Sequence, residues 1–94
     1  MADDTTGVFG ISVAAEMVSM EVQNLRVYER RGLLEPDRTE GGTRLYSPAD
    51  VERLHRIRKL LAEGLNIAGI GRVLELEAEV LRLRSQNRRL RDQP

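Results

Sequence analysis

Apolar residues along the chain fall into helical stripes separated by short polar breaks. After a polar, acidic start, "MADDTTGV", the run "SVAAEMV" carries its apolar residues at helical spacing, with Ser12 placed to cap it. "SMEVQNLRVYERRG" repeats the pattern: Val22, Leu25 and Tyr28/Glu29 share one face, and Gln23, Arg26, Val27 and Arg30 share another. Gly32 stands where a left-handed helix end is expected. Two short helices joined by a few residues make a helix-turn-helix candidate.

Leu33 and Leu34 then point inward, and Pro36 stops any helix from continuing. "DRTEGGTRLY" reads as a hairpin, two short arms around Gly41-Gly42. "SPAD" is a helix start in which Ser47 caps, Pro48 takes the first turn and Asp50 closes a capping box. That helix is expected to reach about Glu63, with Val51, Leu54, Ile57, Leu60 and Leu61 as its buried stripe and Gly64 as its end.

Asn66 caps a last helix without a breaker from Arg72 to Asp92. Ile67, Ile70 and Leu74 suit packing on the domain body. Val73, Leu76, Val80, Leu83, Asn87 and Leu90 then alternate at three and four, an a/d seam for a second helix. Glu75, Glu77 and Glu79 precede Arg82, Arg84, Arg88, Arg89 and Arg91, so an antiparallel pair lays acidic half on basic half. Asn87 at an a position argues for a parallel pair instead, but it lies close to the chain end, and the antiparallel arrangement is favoured. The expected fold is mostly α: a winged helix-turn-helix with a small β-hairpin wing and a C-terminal dimerisation helix in an antiparallel coiled coil. Residues 1–9 are expected as a disordered tail, 10–65 as the winged helix-turn-helix and 66–94 as the dimerisation helix.

Composition narrows the function classes. With 94 residues and only Phe9, Tyr28 and Tyr46 aromatic, the core is thin and dimerisation would add burial. The formal net charge is zero, yet five arginines fall within residues 24–46, and setting aside Asp3, Asp4, Glu75, Glu77 and Glu79 leaves the middle mildly basic. The absence of cysteine excludes disulfides and thiolate metal sites, and His55 alone is too little for zinc. No cofactor is expected. No apolar run approaches the ~20 residues that span a membrane, and nothing reads as a signal peptide, so a soluble, cytoplasmic, nucleoid-associated protein is expected. No nucleophile–base pair or phosphate loop points to an enzyme.

The arginine-rich stretch runs from the middle of the second helix to the end of the hairpin. A helix fits the DNA major groove, and a hairpin tip reaches the adjacent backbone or minor groove. Gln23, Asn24 and Arg26 are the candidates for base readout; Arg30, Arg38, Arg44 and Tyr46 are those for backbone positioning. Val27, Tyr28, Gly42 and Thr43 complete the candidate DNA face, the double glycine letting the hairpin backbone approach a phosphate.

The order "NLRVYERRGLLEPDRTEGGTRLYSPADVERL" resembles the signature of the MerR family of transcriptional regulators, over residues 10 to about 75. Arg26 matches the family's recognition-helix arginine, Tyr28-Glu29 its Tyr-Glu, Arg38 the arginine opening the wing, and Arg44 and Tyr46 the closing Arg-x-Tyr. Asn24, Val27 and Thr43 replace a usual threonine, a frequent aromatic and a wing tyrosine. "GLNIAGIGRVLELEAEV" further resembles the family's heat-shock-repressor branch. The resemblance implies a homodimer on double-stranded DNA, at a pseudo-palindromic promoter operator that it bends or untwists, with RNA polymerase or a chaperone as candidate protein partners. A chaperone- or partner-linked repressor, and a coiled-coil interaction module without DNA specificity, are the alternatives.

Overall fold

The computed structural model describes residues 3–93. Helix α1 (Ile11–Met17) starts one residue before Ser12, capped by the backbone of Gly10 with no side-chain hydrogen bond. The reason is nonlocal: Phe9 is held extended against Tyr46, so the chain turns into the helix directly after that bridge. Ala14, Ala15 and Val18 face the core. The connection to α2 (Val22–Arg30) passes through Ser19, whose φ of +55° makes it the one non-glycine in the left-handed region among the described residues. Met20 N–H closes this turn on Ala15 O at 3.0 Å.

Leu25 and Tyr28 are the buried face of α2, and Gly32 ends the helix as expected, with Leu33 N–H donating to Tyr28 O at 2.9 Å. Leu33 and Leu34 then enter the core. The wing follows: β1 (Asp37–Arg38) and β2 (Arg44–Leu45) are antiparallel, with Asp37 opposite Leu45 and Arg38 opposite Arg44. Gly42 N–H donates to Thr39 O at 2.9 Å, and Gly42 adopts φ +88°, a conformation that any Cβ would strain. The wing turn is therefore a three-residue loop of Glu40, Gly41 and Gly42 between paired Thr39 and Thr43, longer than a tight Gly-Gly turn.

The segment expected as a disordered tail is hydrogen-bonded to the wing instead. Val8 and Phe9 N–H donate to Tyr46 O at 3.0 and 2.9 Å, and Tyr46 N–H returns a bond to Phe9 O at 2.7 Å. Gly7 N–H donates to Asp37 Oδ2 at 2.8 Å. A Cβ on Gly7 would lie 2.5 Å from Leu45 O, so only glycine allows this approach. Ala49 N–H, in the open first turn of the next helix, donates to Asp4 O at 2.9 Å. Met1 and Ala2, also assigned to that tail, lie outside the described residues.

Helix α3 (Pro48–Ala62) carries the full capping box: Asp50 N–H donates to Ser47 Oγ at 3.0 Å and Ser47 N–H to Asp50 Oδ2 at 2.9 Å. Val51, Leu54, Ile57 and Leu60 are buried, Leu61 is half-buried, and His55 is exposed. Helix α4 (Ile67–Arg91) is capped by Asn66, whose Oδ1 accepts from Gly69 N–H at 2.8 Å. Only Ile70 and Leu74 of its 25 residues are buried. At about 1.5 Å per residue the helix runs for roughly 37 Å, and most of that length projects from the body. Asp92 caps its end; Pro94, assigned to the same helix, lies outside the described residues. Among the described residues no helix is long and apolar enough to cross a membrane.

Candidate nucleic-acid interface

Burying Leu25 and Tyr28 turns the opposite side of α2 outward. Gln23, Arg26 and Arg30, at three- and four-residue spacing, share that side; all are exposed, as is Asn24 at its edge. None of these four side chains is hydrogen-bonded or ion-paired among the described residues. Val27, between Gln23 and Arg30, is half-buried and packs on the core, so it offers the helix surface an apolar floor rather than a free side chain.

The wing arginines behave differently. Their register sets Arg38 directly opposite Arg44, a like-charge pair that would repel if left alone. Glu29, at the end of α2, lies against both. Arg44 Nε donates to its two carboxylate oxygens at 2.7 and 2.9 Å, and Arg38 Nη2 donates to the same oxygens at 3.1 and 3.0 Å. Arg38 Nη1 also donates to Gly42 O at 2.8 Å, holding the wing turn. The Glu29 side chain is 17 % exposed, against 28 % for Arg44 and 47 % for Arg38. The Arg44 hydrogen bonds, aided by the charges of both arginines, hold the Glu29 carboxyl below its ordinary range despite its burial. The trio keeps one net positive charge and fastens the wing to α2.

Glu29 stands in the Tyr-Glu pair of the motif but outside the residues the sequence marks for DNA contact. Its signal was present: one carboxylate at a helix end followed by two arginines on facing hairpin arms.

Tyr28 and Tyr46 need correction as DNA contacts. Tyr46 is fully buried and Tyr28 is 4 % exposed; burial raises both phenol pKa values. Tyr46 also pairs through its backbone with Phe9, a contact that local sequence does not reveal. At the wing tip Gly42 and Thr43 are exposed, with Thr43 N–H donating to Thr39 Oγ1 at 3.1 Å.

Along α4, Val73 is half-buried against the core, whereas Leu76, Val80, Leu83 and Leu90 are 43–63 % exposed and Asn87 is also exposed. Arg56 of α3 donates through Nε to both oxygens of Glu77 at 3.1 and 3.2 Å, bracing the helix where it leaves the body. Among the described residues no group of His, Cys, Asp or Glu is placed to hold a metal ion.

An exposed polar helix face beside a fastened hairpin is the arrangement of a winged helix-turn-helix, and the family model for MerR HTH family regulatory proteins matches residues 9–77. The chain belongs to the MerR family. It is 45 % identical over 84 residues to a putative heat shock protein HspR of Streptomyces coelicolor, an alignment covering 88 % of this chain and 56 % of that protein. The chain thus spans just over half the length of that relative. Its fold is similar to the transcription regulator PbrR691 from Ralstonia metallidurans in complex with lead(II), at a TM-score of 0.69 and 29 % identity, covering 89 % of this chain and 78 % of that one. It is also similar to HiNmlR, a MerR family regulator lacking the sensor domain and bound to promoter DNA. There the TM-score is 0.68 at 24 % identity, covering 88 % and 70 % of the two chains, and the likeness speaks for the fold alone.

Proposed function

We propose that the chain is a DNA-binding transcriptional regulator that acts as a homodimer on a pseudo-palindromic promoter operator. The observation that carries this reading is the outward face of α2, where Gln23, Asn24, Arg26 and Arg30 have no side-chain partner among the described residues, beside a wing fixed to the same helix by Glu29. In this reading α2 enters the major groove, Gln23, Asn24 and Arg26 read base edges, and Arg30 contacts the backbone. The wing tip, Gly42–Thr43 with the free edges of Arg38 and Arg44, sits on the adjacent backbone or minor groove. Fixing the wing angle to α2 makes bending or untwisting of the operator the way both elements engage at once. Membership of a family of helix-turn-helix regulatory proteins supports DNA as the ligand. The same reading includes a chaperone or RNA polymerase as a protein partner and a cytoplasmic, nucleoid-associated location; the 45 % identity to a putative heat shock protein favours the chaperone.

The test is fluorescence anisotropy of a labelled duplex from the gene's own upstream region, with a scrambled duplex as control, both titrated across salt. Tighter binding to the upstream duplex, weakening steeply as salt rises, is the expected result. Equal affinity for both duplexes, with no preference recovered from a random-sequence selection, contradicts the proposal.

A further inference from the structure

The wing is held on two sides by bonds of different kinds. On the α2 side Glu29 holds it through the guanidinium groups of Arg38 and Arg44. On the tail side no charged donor takes part. Asp37, which opens β1, accepts from Gly7 N–H through Oδ2 at 2.8 Å. Tyr46, just past β2, exchanges backbone hydrogen bonds with Phe9 at 2.7 and 2.9 Å. The tail thus bonds to both arms of the hairpin, and Asp4 O ties it to Ala49 N–H in the first turn of α3. The Thr5 amide and hydroxyl both donate to Asp3 Oδ1, at 2.9 and 2.7 Å, which shapes the start of this strap as a turn.

The two anchors respond differently to a polyanion. A guanidinium bonds phosphate and carboxylate in the same way, so DNA competes with Glu29 for Arg38 and Arg44. The more these arginines turn to DNA, the less Glu29 holds the wing. The strap offers phosphate no cation to draw away. Its contact with the wing is also close: a Cβ on Gly7 would lie 2.5 Å from Leu45 O, 2.8 Å from Leu45 Cβ and 2.9 Å from Asp37 Cβ.

We propose that Asp37 and Gly7 are positioning residues for DNA binding, their bond holding the wing in place while phosphates draw Arg38 and Arg44 away from Glu29. The proposal rests on the DNA-binding reading above and adds a second anchor, tied to α3 rather than α2. It gives Asp37 an effect opposite to its charge. A carboxylate on a DNA-facing hairpin repels phosphate, so electrostatics alone would have its removal strengthen binding. Loss of the strap's acceptor weakens binding instead.

Three variants of the whole chain test this by duplex anisotropy across salt. Asp37→Ala loses both acceptor and charge; it should bind operator and scrambled duplex about three- to tenfold more weakly, with a flatter salt dependence. Asp37→Asn loses the same charge but keeps an oxygen for Gly7 N–H, and should bind at least as tightly as the wild type. Gly7→Ala keeps every charge and pushes the strap off the wing; it should match Asp37→Ala, and combining the two should add little. Neutral methylphosphonates, placed one at a time in the operator, separate positioning from general damage. Asp37→Ala should lose sensitivity at the phosphates where Arg44→Ala loses it, and keep wild-type sensitivity at the others. Wild-type affinity in Asp37→Ala or Gly7→Ala overturns the proposal. So does Asp37→Asn falling with Asp37→Ala, or sensitivity lost evenly at every phosphate.

Amide exchange on the free protein separates this inference from the reading beneath it. Phe9 and Tyr46 N–H should exchange about tenfold faster in Asp37→Ala than in the wild type or Asp37→Asn. With that pattern and no duplex affinity in the wild type, the strap stands and the proposed function falls. Operator binding by the wild type with exchange unchanged in Asp37→Ala leaves the function and overturns the strap.

Discussion

Arginines of α2 and arginines of the wing have the same chemistry and opposite circumstances. Arg26 and Arg30 stand on an exposed face with no partner among the described residues, whereas Arg38 and Arg44 share the Glu29 carboxylate. The first pair is available to a ligand in full. The second has one negative charge between its two positive ones, and its geometry is set before any ligand arrives. A guanidinium count therefore says little about free charge until the carboxylates that face it are known. In the proposed function the difference separates reading from positioning.

The largest effect should come from removing what separates the two pairs. Glu29→Ala leaves Arg38 and Arg44 facing each other across the hairpin, and loss of these charged hydrogen bonds should cost about 1.5–3 kcal/mol of stability, read by denaturant titration. It also makes the surface more positive. If charge alone governed binding, DNA affinity would rise; the fixed-wing account expects it to fall.

Acid should undo the same contact. The arginines hold Glu29 below its ordinary pKa of 4.5, so its contribution is fully present above that pH. It is lost as the pH falls through the lowered value. Stability of the wild type should drop over that acid range more than that of Glu29→Ala, and parallel pH profiles would show that the clamp contributes nothing.

Arg26→Ala and Arg44→Ala then split reading from positioning. The first should reduce discrimination between operator and scrambled duplex by about 1–3 kcal/mol. Arg44→Ala should weaken both duplexes alike and flatten the salt dependence. Equal patterns in the two variants would erase the distinction.

The smallest effect lies outside both pairs. Ser19 bears φ +55° in the turn that sets α2, and Ser19→Gly should raise stability by about 0.5–1 kcal/mol in urea titration while leaving the preference for operator unchanged.

What was legible in the sequence was local. Ser47 and Asn66 announce their helices because a cap bonds to residues three positions away. The buried stripe of α3 follows from spacing alone. The order of the tail is not legible locally, because the pairing that holds it joins Phe9 to Tyr46, far along the chain, through backbone groups that every residue carries. The same pairing moved the start of α1 from Ser12 to Gly10's cap. Glu29 was seen as part of a motif but not as a clamp, since that requires knowing that the hairpin folds back on the end of α2. The outward placement of Gln23, Arg26 and Arg30 was readable from helical period, and the structure agrees with it.

Operators carrying 7-deazaguanine at single positions test the central claim most directly, with the wild type and Arg26→Ala titrated side by side. Removing a guanine N7 deletes one half of the bidentate contact an arginine makes in the major groove. The account predicts one guanine in each half-site whose substitution weakens the wild type and has no further effect on Arg26→Ala, a non-additive cycle. Full additivity at every guanine, with discrimination intact in Arg26→Ala, would contradict it.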